Sequence, residues 1–246
     1  MSQSTRGVGE RHDDVLAAIG RRIVSGAQPA GSVLTLDGIS TEYDVSRTVA
    51  REVIRVLESM GLVESRRRVG ITIQPRTNWS VFDPRLIRWR LDGADRAEFL
   101  ATLSELRRGF EPVAAALAAE RANEHQCRIL AAAVSDMVVH GRNGDLQSYL
   151  LADTVFHRTL LEASGNEMFR SLADVVGEVL AGRTHHGMMP DTPNPSAIAL
   201  HDDVARAIRL RDPEAAEASM REIITEAAEA VSAPPPAGSA EPAPKA

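Results

Sequence analysis

The sequence predicts a mostly α-helical protein: an N-terminal winged helix-turn-helix followed by an all-α bundle of six or seven helices. Three observations predict it. The run Val45-Ser-Arg-Thr-Val-Ala-Arg-Glu-Val-Ile-Arg-Val-Leu57 sets Arg47, Arg51 and Arg55 on one helical stripe, with Val49, Val53, Ile54 and Leu57 on the side that packs. Next, Leu62 to Ser65 and Ile71 to Ile73 are short β-prone runs flanking Arg66, Arg67, Arg68 and Gly70, a hairpin with a basic tip, or wing. From Pro84 onward there is no convincing strand pattern, and apolar residues recur at helical spacing.

The elements follow in order. Residues 1–10 are polar and read as disordered. Asp13 to Gly26 carries Val15, Leu16, Ile19, Ile23 and Val24 at helical spacing, and Gly26 to Gly31, with Pro29, ends that helix. Leu36 to Tyr43 reads as a short helix, turned at Asp44 into the arginine-striped one. These make a winged-helix domain over 11–75, with a linker at 76–84. The second domain, 85–232, shows helical segments near 84–91, 95–122, 124–141, 145–164, 167–183, 197–210 and 213–232. Breaks fall at Asn123, Gly141 with Gly144, Gly165-Asn166 and Asp212-Pro213, where Pro213 suits a first helical turn capped by Asp212. Met188 to Pro195 is a loop, and the Pro/Ala-rich residues 233–246 read as a disordered tail.

Composition narrows the function. At 246 residues the chain forms one large domain or two ordinary ones. Hydrophobic residues are 43% and aromatics only 4%, so the core is aliphatic. No apolar run approaches the ~18 residues that span a membrane, and the N-terminus lacks the apolar stretch of a secretory signal. One cysteine, Cys127, excludes an intrachain disulfide and fits a reducing cytoplasm. Net charge is −6, yet residues 1–79 carry 11 Arg against 9 Asp and Glu, while the rest holds 17 Lys and Arg against 25 acids. Positive charge is therefore concentrated on the striped helix and the wing, which points to double-stranded DNA as a partner. A solvated amphipathic helix would show the same arginine spacing, but it would not need the wing. Arg47, Thr48 and Arg51 are the candidates for base and phosphate contacts, supported by Ser46, Arg55, Arg67 and Gly70.

In the second domain, Asp153 and His157 stand four residues apart on a predicted helix and can face one point. His201 opens a later helix. Arg107 lies four residues before Glu111, a spacing that equally suits a surface salt bridge.

From about residue 11 to 232 the chain resembles the GntR family of bacterial transcriptional regulators, and within it the FadR subfamily with its helical FCD effector domain. The N-terminal marks are Val45-Ser-Arg-Thr-x-x-Arg-Glu-x-x-x-x-Leu57 and Gly61-Leu-Val. The C-terminal marks are Leu106-Arg-Arg-x-x-Glu111, Ala118-Ala-Glu-Arg121, Asp153-x-x-Phe-His157, Ala163-x-Gly-Asn166, His201 and Asp212-Pro-x-x-Ala-x-x-x-Met220. The stretch from Asn78-Trp79 to Trp89 is similar to the linker of the branch that responds to sugar acids such as galactonate.

The resemblance implies a DNA-binding homodimer, in character a repressor released by a small organic acid held in the helical domain. It also implies that Asp153, His157 and His201 meet in the bundle core as ligands for a divalent metal (Zn, Ni, Fe or Mn). The usual fourth histidine is Ile223 here, so water, the effector, His185 or His186 would complete the set. Arg107 would point into the cavity and pair with an effector carboxylate, with Arg183 and Asn166 as further effector candidates, though Asn166 also suits a turn cap. A second departure is Asp37, which stands where the family has a DNA-contacting arginine. Two other readings stay open: a metal-dependent enzyme using Asp153, His157 and His201 around an open position, and a DNA-architectural protein without effector.

Overall fold

The structure is a computed structural model that describes residues 8–190 and 192–232. The disorder expected for 1–7 and 233–246 lies outside these residues. Contacts divide the chain into two compact units, with the division between Phe99 and Leu100.

The first unit holds α1 (Val8–Val24), β1 (Val33–Leu34), α2 (Leu36–Glu42), α3 (Arg47–Ser59), β2 (Val63–Arg66), β3 (Gly70–Ile73) and α4 (Pro84–Leu91). Helix α1 starts at Val8, so the disorder expected through residue 10 is corrected there. Ser46 caps α3, its hydroxyl accepting from Val49 N at 3.3 Å. The turn between α2 and α3 uses Asp44 in the left-handed conformation (φ 50°). Strands β2 and β3 pair antiparallel with Val63 opposite Ile73 and Arg66 opposite Gly70, forming the wing. Strand β1, missed in the sequence, adds to the far edge of β3, giving the order β1-β3-β2. Two residues are too few for alternation to register.

Val15, Ile19, Ile54, Leu57, Leu62 and Ile73 form the core of this unit. Leu86 and Trp89 of α4 join it, so the first helix read into the second domain contributes to the N-terminal core. Residues 76–84 include a 3-10 turn at Arg76–Asn78, and the Trp79 indole donates to Gln74 O at 3.1 Å. Gly61 lies against this segment with φ +71°, and a Cβ there would fall 2.1 Å from Asn78 O. Gly61→Ala combines an unfavourable left-handed residue, about 1–2 kcal/mol, with a clash against backbone that cannot rotate away. Thermal unfolding should show a lower Tm for this unit; an unchanged Tm would mean that the segment is not held there.

The second unit contains α5 (Arg96–Arg121), whose first turn begins before the division, then α6 (Glu124–Arg142), α7 (Leu146–Ala163), α8 (Glu167–Ser171), α9 (Ala173–His185), α10 (Pro195–Leu210) and α11 (Pro213–Ser232). The single helix expected at 167–183 is corrected to two, bent at Leu172. Phe169 and Leu172 pack on the core at that bend, and no Gly or Pro marks it in the sequence. Ala114, Ala115, Ala118 and Ala119 give α5 a fully buried small-residue face, which lets neighbouring helices approach closely in a chain poor in aromatics. Arg211 ends α10 in the left-handed conformation (φ 62°), and its guanidinium caps α5 by donating to Ala119 O (3.1 Å) and Ala122 O (2.7 Å).

Candidate functional site

Helix α3 and the wing enclose an exposed groove of about 500 Å³ in the first unit. Arg47, Arg51, Arg55, Arg66, Arg67 and Gly70 line it. Gly70 (φ +108°) opens β3 after the tip, where a Cβ would meet Val33 at 2.8 Å. Arg51, Arg67 and Thr48 are exposed. Arg55 is paired with Glu52 at 2.8 Å and Arg66 with Glu64 at 2.9 Å. Arg47 reaches Asp37 Oδ1 at 3.3 Å, so the acid at the departing position is engaged with the stripe itself. Ser46 and Thr48 stand outside the groove lining, and the Ser46 hydroxyl is occupied as a cap.

The second unit contains a small cavity of about 150 Å³ between α5, α7, α9, α10, α11 and the loop before α10. Asp153, His157 and His201 line it, all buried, and each offers a ligand atom within 4.8 Å of the others. Helix α7 presents Asp153 and His157 one turn apart. His201 comes from α10, where its Nδ1 lies 2.7 Å from Ala197 O. A carbonyl only accepts, so Nδ1 carries a proton. His201 Nε2 faces Asp153 Oδ1 at 3.3 Å, and both atoms are buried without a hydrogen-bond partner. His157 Nε2 also lies 3.4 Å from Asp153 Oδ1, while its Nδ1 is 2.7 Å from Glu111 Oε2. Arg107 Nη2 stands 3.5 Å from His157 Nε2, while His201 Nε2 and Asp153 Oδ1 face each other unsatisfied, a buried place that a cation would fill.

A proton on Asp153 does not supply it. Burial opposes its ionisation, but His157 and His201 outweigh burial and hold the carboxyl below the usual range. His157 is the reverse case: burial disfavours its cation, yet Glu111 and Asp153 hold its pKa above the ordinary value. Nitrogen and carboxylate donors of this kind fit a borderline divalent cation. His157 backed by a carboxylate on its other nitrogen is the usual second layer of such a site.

Arg107 is 2% exposed and Glu111 0%, so the surface salt bridge considered for them is replaced by a buried pair. Arg107 Nε and Nη2 both donate to Glu111, and Arg107 also lines the cavity. Burial disfavours the Glu111 anion, but Arg107 and His157 outweigh that and hold its pKa at about 2. Arg183 of α9 lines the cavity as well. Asn166 does not: its side chain accepts from Met168 N at 2.9 Å as the N-cap of α8, and its place among the effector candidates is corrected to that role. Ile223 lines the cavity as an apolar residue. His185 and His186 end α9 away from it. Tyr149, Asn194 and Glu226 line the cavity and were missed. Tyr149 was legible, one turn before Asp153 on the same stripe. A larger groove of about 530 Å³ between α6 and α10 is open and mostly apolar.

Residues 11–73 match the gntR family of bacterial regulatory proteins, and residues 102–226 match the FCD domain. The chain is 28% identical over 207 residues to the galactonate operon transcriptional repressor of Escherichia coli (strain K12), covering 83% of this chain and 90% of that protein. It is 26% identical over 199 residues to the probable D-xylose utilization operon transcriptional repressor of Paenarthrobacter nicotinovorans, covering 79% and 77%. Among solved structures, Escherichia coli McbR/YncC is similar at 15% identity with a TM-score of 0.52, covering 90% of this chain and 97% of that one. The Listeria monocytogenes Lar structure is similar at 17% identity with a TM-score of 0.56, covering 94% and 98%. These two likenesses speak for the fold alone. The family and the relatives are regulators, which sets the metal-dependent enzyme aside. The chain therefore belongs to the gntR family of bacterial regulatory proteins, a DNA-binding transcriptional regulator whose second unit is an effector-binding FCD domain.

Proposed function

We propose that the protein is a cytoplasmic repressor that grips a palindromic operator as a homodimer and leaves it when a small organic acid enters the FCD cavity. The observation that carries this reading is the buried convergence of Asp153, His157 and His201 beside two arginines. A site of that kind serves no purpose in an architectural protein, and it suits a negatively charged ligand.

In the first unit, Arg51 and Arg47 read bases from α3, with Thr48 on the same exposed first turn. Arginine pairs bidentately with guanine in the major groove. Arg67 supplies phosphate or minor-groove contacts from the wing tip, and Gly70 lets the wing lie close. Arg55 stands further along the stripe and takes a phosphate role. A dimer sets two such helices on successive major-groove faces.

In the second unit, Asp153, His157 and His201 would hold a divalent cation, with Glu111 orienting His157. Zn, Ni, Fe and Mn suit these donors. Such an ion supplies a fixed positive charge for an effector carboxylate. With Ile223 apolar, at least one coordination position is left for water or the effector. The acid releases DNA only by binding one arrangement of the dimer better than the other. The galactonate operon named for one relative favours a hydroxy acid.

Elemental analysis tests the centre of this reading. Purified wild type should carry a divalent metal that is lost in His157→Ala. Absence of metal from both, after purification without chelators, would overturn the metal role and reduce the trio to a hydrogen-bonded cluster.

A further inference from the structure

We propose that Arg68 is a specificity-determining residue: it enters the minor groove beside the half-site that α3 occupies and makes the protein prefer A·T pairs there. This rests on the reading of α3 and the wing as the DNA interface, and it adds a base preference that the arginine stripe does not supply.

The wing turns over through Arg66, Arg67, Arg68 and Val69, closed by Val69 N donating to Arg66 O at 3.1 Å. Arg68, at the third position, has φ 68°, and Arg67 before it does not share that conformation. The third position of such a turn takes glycine or asparagine, which adopt a positive φ readily. An arginine there is strained. A short polar side chain offsets such strain by bonding its own backbone. Arg68 does not: it is exposed, and its side chain makes no hydrogen bond or ion pair with any described residue. The fold gains nothing from arginine at this position, and glycine would suit it better. A strained, unpaired cation at the tip of a DNA-facing hairpin points to a partner outside the chain.

Most neighbouring arginines are engaged within the protein. Arg66 pairs with Glu64 at 2.9 Å, Arg55 with Glu52 at 2.8 Å and Arg47 with Asp37 at 3.3 Å. Arg67 lines the groove shared with α3, and Arg68 lies outside that lining. The two side chains therefore serve different parts of the duplex: Arg67 the backbone next to α3, Arg68 what lies beyond it. With a helix in the major groove, the surface beyond it is the adjacent minor groove. Val69, next to Arg68, is 56% exposed. An apolar side chain beside a cation suits the sugar-walled minor groove better than a row of phosphates.

The wing is also braced. Ser65 N donates to Glu58 Oε1 at 2.8 Å, which ties β2 to the last turn of α3. Gly70 packs so closely on β1 that a Cβ there would fall 2.8 Å from Val33. Arg68 is thus carried at a fixed offset from Arg51, and its preference sits at a fixed spacing from the bases that α3 reads. Runs of A·T narrow the minor groove and deepen its negative potential, which draws in a guanidinium. A G·C pair instead puts the guanine 2-amino donor on the groove floor, which opposes another donor.

Selection from a pool of randomised DNA duplexes by the full chain tests this, followed by fluorescence anisotropy on the duplex that wild type enriches. That duplex should carry A·T pairs at a fixed spacing from the bases no longer selected by Arg51→Ala. Exchanging those pairs for G·C should weaken wild type about tenfold, the order of a wrong base pair. Exchanging them for inosine·cytosine should restore binding, because that pair keeps the major-groove face of G·C and lacks the 2-amino group. Arg68→Gly should bind all three duplexes alike, near the level of wild type on G·C, with a Tm equal to or above that of wild type. Arg67→Ala should weaken the three by the same factor. An A·T preference that survives in Arg68→Gly, no such preference in wild type, or failure of inosine·cytosine to restore binding would overturn the proposal while leaving α3 and the wing as the interface. So would a lower Tm in Arg68→Gly, because the arginine would then be serving the fold. If wild type enriches no duplex, the DNA-interface reading itself falls and takes Arg68 with it.

Discussion

Arg51→Ala is expected to cost about 1–3 kcal/mol of operator affinity per half-site, and about twice that in a dimer that uses the side chain twice. This is the largest effect expected from any one surface residue. Arg51 sits mid-stripe on α3, exposed, in the groove shared with the wing, and without a carboxylate partner among the described residues. On the proposed reading, its loss would leave a guanine edge unread and the DNA-facing groove one charge poorer. The fold should not notice, because α3 packs through Ala50, Val53, Ile54 and Leu57 on the opposite face. Fluorescence anisotropy with labelled operator, beside thermal unfolding, checks both halves. Arg55 gives the contrast: bound to Glu52 and placed for phosphate, its removal should weaken all sequences about equally. Full affinity in Arg51→Ala would mean that α3 is not the reading helix.

The second large effect is on stability. Glu111→Gln removes the anion that neutralises Arg107 inside the second unit, where both side chains are almost wholly buried. Breaking a buried pair by deleting one partner costs about 3–5 kcal/mol, most of it from the charge left behind. The drop in Tm should be correspondingly large. Replacing both residues with apolar ones of similar volume should recover much of it, since the penalty lies in the orphaned charge. The pH dependence follows with a definite sign. The folded pKa of Glu111, about 2, lies below the ordinary carboxylate value near ~4.3. Its contribution is therefore fully present above that ordinary value and is lost as pH falls from there toward the folded pKa. Wild type should destabilise through this window more steeply than Glu111→Gln, as followed by circular dichroism at fixed temperature. Parallel acid profiles would show that the pair carries little of the stability.

How much of this was legible depends on the range of each interaction. The arginine stripe, the wing and most helix breaks were readable because they rest on local periodicity and on Ser46, Asn123, Asn166 and Asp212, whose capping roles depend on neighbours in sequence. The bend at Leu172 was not readable, because packing of Phe169 and Leu172 makes it, with no breaker residue present. Asp153 and His157 announced themselves by a one-turn spacing, whereas His201 joined them only through the family resemblance. The Arg107–Glu111 pair was visible as a spacing, but burial turned it from a weak surface bridge into a central support. Glu226 and Asn194 come from distant segments, and nothing local marks them for a cavity.

Asp37 beside Arg47 has a consequence for how binding responds to ions. An exposed arginine that reaches a phosphate normally helps to expel a sodium or potassium ion condensed on the duplex, which makes affinity fall as salt rises. Arg47 arrives with its own counterion attached to the neighbouring helix. When it swings to DNA it exchanges one fixed anion for another and leaves Asp37 facing the duplex. The acid thus competes with the operator at an effective concentration that no change of buffer can dilute. On the proposed reading, its presence would weaken the grip overall and make it depend more on the bases assigned to Arg51 than on the backbone any sequence offers.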